Sequence, residues 1–205
     1  MVYKNFLLRL FFSLVFIIIY ITISYINFEY VFYLILFIYL IILLEIIFYF
    51  KKNKLFIFAY ILISLVFFTF VDFNLNTFLN FNLFIFIIIT FDIFSYIFGK
   101  IFGKIKLMKI SPNKTVEGLF GGFISSFFLS LLFSYFFNIT IDTTLIIFIV
   151  LIILSSFLGD ILESYFKRKN NLKNSSKFIP GHGGVFDRFD SFLFAIIFYS
   201  VFINF

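Results

Sequence analysis

The chain has 205 residues, 63% of them hydrophobic and only 13% charged, against roughly 25% charged in an ordinary soluble domain. That balance excludes a soluble globular fold and describes an integral membrane protein, while the absence of cysteine removes disulfides, thiolate catalysis and Cys-ligated metal sites. The net charge of +6 belongs to basic loops that meet anionic lipid head groups; with no soluble basic domain to carry it, nucleic-acid binding is not expected.

About 20 apolar residues cross the roughly 30 Å hydrocarbon core. Seven stretches qualify, approximately 6–26, 30–50, 55–71, 78–98, 116–137, 145–166 and 189–205. The first continues to Ile26 without a small-x-small cleavage site, so it reads as a retained span and not as a signal peptide. The connections Asn27 to Glu29, Asp72 to Thr77 and Asn138 to Thr143 contain no Lys or Arg. With seven spans, all 16 basic residues fall at the other end, at Lys4 and Arg9, Lys51 to Lys54, Lys100 to Lys114 and Lys167 to Arg188. The positive-inside rule then places the N-terminus and these loops in the cytoplasm. The expected fold class is all-α, a polytopic membrane protein of about seven transmembrane helices with its site at the cytoplasmic face.

Acidic residues discriminate further. Glu29, Asp72 and Asp142 fall in the outer loops and read as solvated termini, whereas Asp92, Glu117, Asp160 and Glu163 lie in or at the ends of apolar spans. There an unpaired charge costs several kcal/mol and marks function by default. Glu45 is also intramembrane, near Lys51 and Lys52, and reads equally as a snorkelling or helix-pairing residue or as part of the site.

In the sixth stretch Asp160, Glu163, Ser164 and Lys167 share one helical face. A polar segment follows, running through Pro180, Gly181, His182, Gly183 and Gly184 to Asp187, Arg188, Asp190 and Ser191. Glycines let backbone amides approach an anion, and carboxylates suit Mg²⁺, which joins a few of them to substrate phosphates. Carboxylates, Lys, Arg and a Gly loop at one membrane face describe a phosphate-and-magnesium site.

The run Ser164, Lys167, Arg168, Lys173, Asn174, Ser176, Ile179, Pro180, His182, Gly183, Gly184, Asp187, Arg188 and Asp190 resembles the signature of the phosphatidate cytidylyltransferases. A second stretch is similar too: Asp92, Ser95, Tyr96, Gly99 and Gly103, then Ser111, Pro112, Lys114, Thr115, Glu117 and Gly118. The resemblance covers residues 92–191 and implies a catalytic membrane region over 76–205, preceded by N-terminal transmembrane helices over 1–75 within a single membrane unit. Asn174 departs from the family pattern, which has Asp there; it keeps an oxygen but loses a charge, as a loop-orienting role would allow.

The resemblance implies transfer of the cytidylyl group of CTP to phosphatidate, giving CDP-diacylglycerol and pyrophosphate at a bacterial-type inner membrane. On this reading Asp160 and Asp187 lead as Mg²⁺ ligands, with Asp190 and Asp92 next, and a second monovalent or divalent cation is compatible. Lys167, Arg168 and Arg188 join Asp160 and Asp187 as catalytic residues. Substrate contacts fall to Ser111, Lys114, Thr115, Ser164, Lys173, His182, Gly183 and Gly184. His182 divides evenly between a phosphate contact and a loop-ordering hydrogen bond. The partners are CTP, phosphatidate and membrane lipids, with a homodimer as one arrangement. Two rivals are a CTP-dependent lipid kinase of the polyprenol type, which would release CDP, and a transporter, which would place its polar groups near the midplane.

Overall fold

The computed structural model describes residues 15–108, 111, 114–176 and 183–204. Helices build it: α1 (described from Val15 to Ile26), α2 (Glu29–Tyr49), α3 (Lys54–Thr69), α4 (Phe78–Phe102), α5 (Val116–Phe136), α6 (Thr143–Lys169) and α7 (Phe186–Asn204). Among the described residues the one β-type pairing is an isolated bridge between Lys106 and Thr115. Each apolar stretch of the sequence therefore holds a helix, because a chain in lipid must satisfy its backbone N–H and C=O groups within the segment.

Four of these helices, α2, α4, α5 and α6, are long and apolar enough to cross a bilayer. The expected seven crossings are not all matched by length. The described part of α1 is short, α3 at 16 residues reaches about 24 Å at 1.5 Å per residue, and α7 opens on Asp187, Arg188 and Asp190. The other difference lies at the helix ends. α6 runs on to Lys169 and α7 begins already at Phe186, so the acids and bases of the signature stand on helix turns.

Close packing between helices of such uniform apolarity depends on small residues, since lipid tails offer side chains the same environment as a neighbouring helix. On α5, Gly118, Gly122, Ser126, Ser130 and Ser134 recur every fourth position and are all buried. They form a seam against α4, where a Cβ on Gly122 would lie 2.8 Å from the Ser95 Cβ. Gly159 does the same for α6, which packs along α7: a Cβ there would stand 2.5 Å from the Asp190 carbonyl oxygen.

The N-terminal helices are tied to α7. Ser64 on α3 donates to the Leu193 carbonyl at 2.6 Å, so its single proton is committed and the Tyr39 hydroxyl of α2, 2.6 Å away, donates to it. Aromatic rings fill the space beneath, with Tyr199 of α7 against Phe84 of α4 at a centroid distance of 4.5 Å. At the opposite end of the site, the Asn170 side-chain oxygen accepts from the backbone N–H of Lys51 and Lys52 at 2.8 and 2.6 Å. This fastens the α2–α3 turn to the end of α6.

Candidate active site

The neighbouring α6 and α7 carry acids at matching three-residue spacings, Asp160 and Glu163 on one, Asp187 and Asp190 on the other. The chain reverses between the helices, so Glu163 meets Asp187 and Asp160 meets Asp190, like two rungs of a ladder.

Lys167 closes the outer rung. Its ammonium lies 2.6 Å from Glu163 Oε2 and 2.7 Å from Asp187 Oδ1. Asp187 Oδ2 accepts from the backbone N–H of Ser175 and of Gly184, both at 2.9 Å. Gly183 is needed beside it, with φ at +92° and no room for a Cβ against Asp187 Oδ2. Asp187 therefore orders the loop, its carboxyl held by Lys167, by two backbone N–H groups and by the contact with Glu163.

The inner rung receives a third acid and a second lysine. Lys114, from the loop before α5, lies 2.5 Å from Asp160 Oδ2 and rests over the Phe157 ring at 5.7 Å. Ser191 donates to Asp160 Oδ1 at 2.8 Å and stands 3.3 Å from Asp92 Oδ1, so α4, α6 and α7 meet at one hydroxyl. Asp190 Oδ1 accepts from the Ser191 backbone N–H at 2.9 Å. Arg188 stands exposed on the first turn of α7.

The remaining signature residues divide. Thr115 caps α5, accepting from the Gly118 N–H at 3.1 Å, and its side chain fills the space left by Gly99 and Gly103. Ser111 accepts the Lys114 N–H through its carbonyl at 3.1 Å. Ser164 is half-buried, Lys173 and Asn174 are exposed, and Arg168 donates to the Leu172 carbonyl at 3.2 Å. His182, Pro180 and Gly181 lie outside the described residues, as do Pro112, Lys4 and Arg9. Glu117, at the end of an apolar stretch, accepts from the Ile105 N–H at 3.1 Å and shapes the turn into α5.

Sequence reasoning named Ser191 within the polar segment but gave it no role, and did not find Ser175 or Tyr60. Ser191 follows a recognised acid, but nothing in its position announces that it bridges two others. Tyr60 of α3 buries a hydroxyl that has no hydrogen-bond partner among the described residues, with its ring against Phe166 and Phe194.

Five carboxylates thus crowd one end of the bundle with Lys114 and Lys167 set among them. Asp160 touches Asp190, and Glu163 Oε1 is buried without a donor. A hard cation fits such a surplus of oxygen donors. Among the described residues no group of three or more His, Cys, Asp or Glu side chains is placed to hold a metal ion by itself; Mg²⁺ commonly takes one or two carboxylates and leaves the rest of its shell to substrate phosphates and water.

The profile of the Cytidylyltransferase family matches residues 2–205. The chain belongs to the cytidylyltransferase family. Among its relatives, a phosphatidate cytidylyltransferase of Staphylococcus epidermidis is 44% identical over 105 residues, covering 50% of this chain and 40% of that protein. Those of Staphylococcus saprophyticus and Staphylococcus aureus are 44% and 42% identical over the same length and shares. The matched stretch spans 40% of the length of these curated relatives.

Proposed function

We propose that this cytidylyltransferase-family chain transfers the cytidylyl group of CTP to phosphatidate, forming CDP-diacylglycerol and pyrophosphate. The observation that carries the reading is the acidic ladder of α6 and α7, interlaced with Lys114 and Lys167, at one end of an otherwise apolar bundle. A phosphate oxygen of phosphatidate attacks the α-phosphorus of CTP, and the bond from that phosphorus to the oxygen bridging to the β-phosphorus breaks. The electron pair leaves with pyrophosphate. The attacking phosphate is already ionised at neutral pH, so no side chain has to remove a proton.

The chain's work is positioning and charge stabilisation, which together supply most of the rate enhancement in transfer at phosphorus. Asp160 and Asp190, with Asp92 beside them and Asp187 on the outer rung, would hold Mg²⁺, which when bound neutralises phosphate oxygens. Lys114 and Lys167 are each within reach of a carboxylate and can exchange that contact for a phosphate oxygen. Arg168 and Arg188, on the exposed turns of α6 and α7, offer planar donors that grip two phosphate oxygens at once. On this reading Ser164, Lys173, Gly183 and Gly184 would supply further substrate contacts.

The placement of basic residues at this end supports a cytoplasmic site in the cell membrane. There CTP arrives from water while phosphatidate moves sideways from the inner leaflet. Purified protein in liposomes, given CTP, Mg²⁺ and phosphatidate, is expected to yield CDP-diacylglycerol and pyrophosphate in equal amounts. Release of CDP would favour the lipid kinase, and neither product would remove the enzymatic reading.

A further inference from the structure

Glu45 lies near the end of α2, far in sequence from the acidic ladder, and its side chain is 3% exposed. Each of its oxygens takes two donors. Oε1 accepts from the Ser176 hydroxyl at 2.7 Å and the Val185 N–H at 2.8 Å. Oε2 accepts from the Ser175 hydroxyl at 3.3 Å and the Phe186 N–H at 3.0 Å. All four lone-pair sites are met, and two of the donors stand at the start of α7, where the helix dipole favours an acceptor of this kind.

The pairing is regular: each oxygen joins one serine hydroxyl from 175–176 to one N–H from 185–186. The carboxylate therefore clasps together the two ends of the loop between α6 and α7. That clasp bears directly on the ladder, because the Ser175 N–H beside it is one of the two backbone donors on Asp187 Oδ2, and the other comes from Gly184. Gly184 admits no side chain, since a Cβ there would stand 2.6 Å from Glu45 Oε2.

We infer that Glu45 is a positioning residue for the cytidylyl-transfer site: from the N-terminal half it fixes the loop base and the start of α7, and so sets where Asp187 and Lys167 stand. It touches neither substrate. Its effect falls on the rate of the bound complex, because a displacement of about 1 Å in a catalytic group can cost on the order of a hundredfold in rate.

The experiment compares wild type with Glu45→Gln, whose amide nitrogen replaces an acceptor with a donor facing other donors. Amide hydrogen exchange in detergent micelles is read over peptides spanning 183–190. Faster exchange there, with α4 and α5 unchanged, is expected; wild-type protection across this segment overturns the inference. The activity arm, which rests on the proposed reaction, expects kcat lowered about tenfold to a hundredfold with KM for CTP changed little. A purely structural role would lower the yield of folded protein and leave kcat per folded molecule intact, and that result also overturns it.

Ser176→Ala supplies the cycle. It is expected to lower kcat several-fold in wild type but to add nothing in the Glu45→Gln background, since coupled partners are not additive; full additivity counts against the clasp. Should Glu45→Gln fail to fold, the Ser175→Ala, Ser176→Ala double variant removes two donors without touching the charge, and the same exchange measurement decides. If wild type forms no CDP-diacylglycerol, the functional reading fails while the exchange arm still tests Glu45.

Discussion

The two ends of the helix bundle carry acids in opposite ways. At the end without basic residues, Glu29, Asp72 and Asp142 are exposed, and the side-chain bonds of Asp142 are local: it caps α6 by accepting from the Leu145 N–H at 2.8 Å and the Thr144 hydroxyl at 2.7 Å. At the other end Lys114 reaches Asp160 across 46 positions, Ser191 reaches Asp92 across 99, and Val185 reaches Glu45 across 140. Local bonds close a turn and can be lost singly. Long-range bonds hold three or four helices in one geometry, and each lost contact leaves another buried group unpaired.

The largest effect that would break this contrast is at the ladder. Asp160→Asn and Asp187→Asn are each expected to lower the rate of pyrophosphate release by about a hundredfold or more, the range seen when a group stabilising charge in the transition state is removed. Wild-type turnover in either variant would detach the ladder from the chemistry.

The orientation of the two ends follows next. A cysteine in place of Asn76 is expected to react with an impermeant reagent added outside intact cells, whereas one in place of the exposed Lys173 is expected to stay unlabelled until the membrane is opened. Equal labelling would place both ends on one side and undo the seven-crossing arrangement.

A smaller change sharpens the comparison inside the site. Asn174 is exposed, and the neighbouring Ser175 N–H, not the Asn174 side chain, meets Asp187. Asn174→Asp is therefore expected to leave the Mg²⁺ concentration for half-maximal activity within about twofold, as a loop-ordering side chain that Asn and Asp can both supply would dictate. A larger drop would bring position 174 to the metal.

The smallest effect belongs to Asp142→Ala. The Leu145 N–H and the Thr144 hydroxyl hold the Asp142 carboxyl below the usual carboxylate range, so its cap is fully formed above that range, near pH 4, and is lost as pH falls through the depressed value. The variant is expected to melt slightly earlier at neutral pH, with that difference fading in acid, and to keep its activity per folded molecule. Thermal unfolding at two pH values checks it.

The apolar runs made the helices legible, because in lipid a long apolar segment has little choice but to be helical, and the paired spacings of Asp160 with Glu163 and Asp187 with Asp190 made the acids legible as a face. What stayed hidden depends on which helices become neighbours. Glu45 looked as much like a snorkelling residue as a site residue, since its four donors lie more than a hundred positions away. Thr115 and Glu117 read as site residues within the signature, yet the structure uses them to cap and shape the start of α5. A short motif can hold contacts to substrate and contacts to itself, and spacing alone does not separate them.

Gly159 has a consequence of its own. Its lack of a side chain lets α6 lie against the Asp190 backbone one residue before Asp160, so it acts as a gauge for the gap between the two helices. A methyl group there would prise them apart at the inner rung, and the interaction between its two carboxyl groups weakens with each added fraction of an ångström. The smallest residue in the chain thus regulates the charge density of the site without bearing any charge itself.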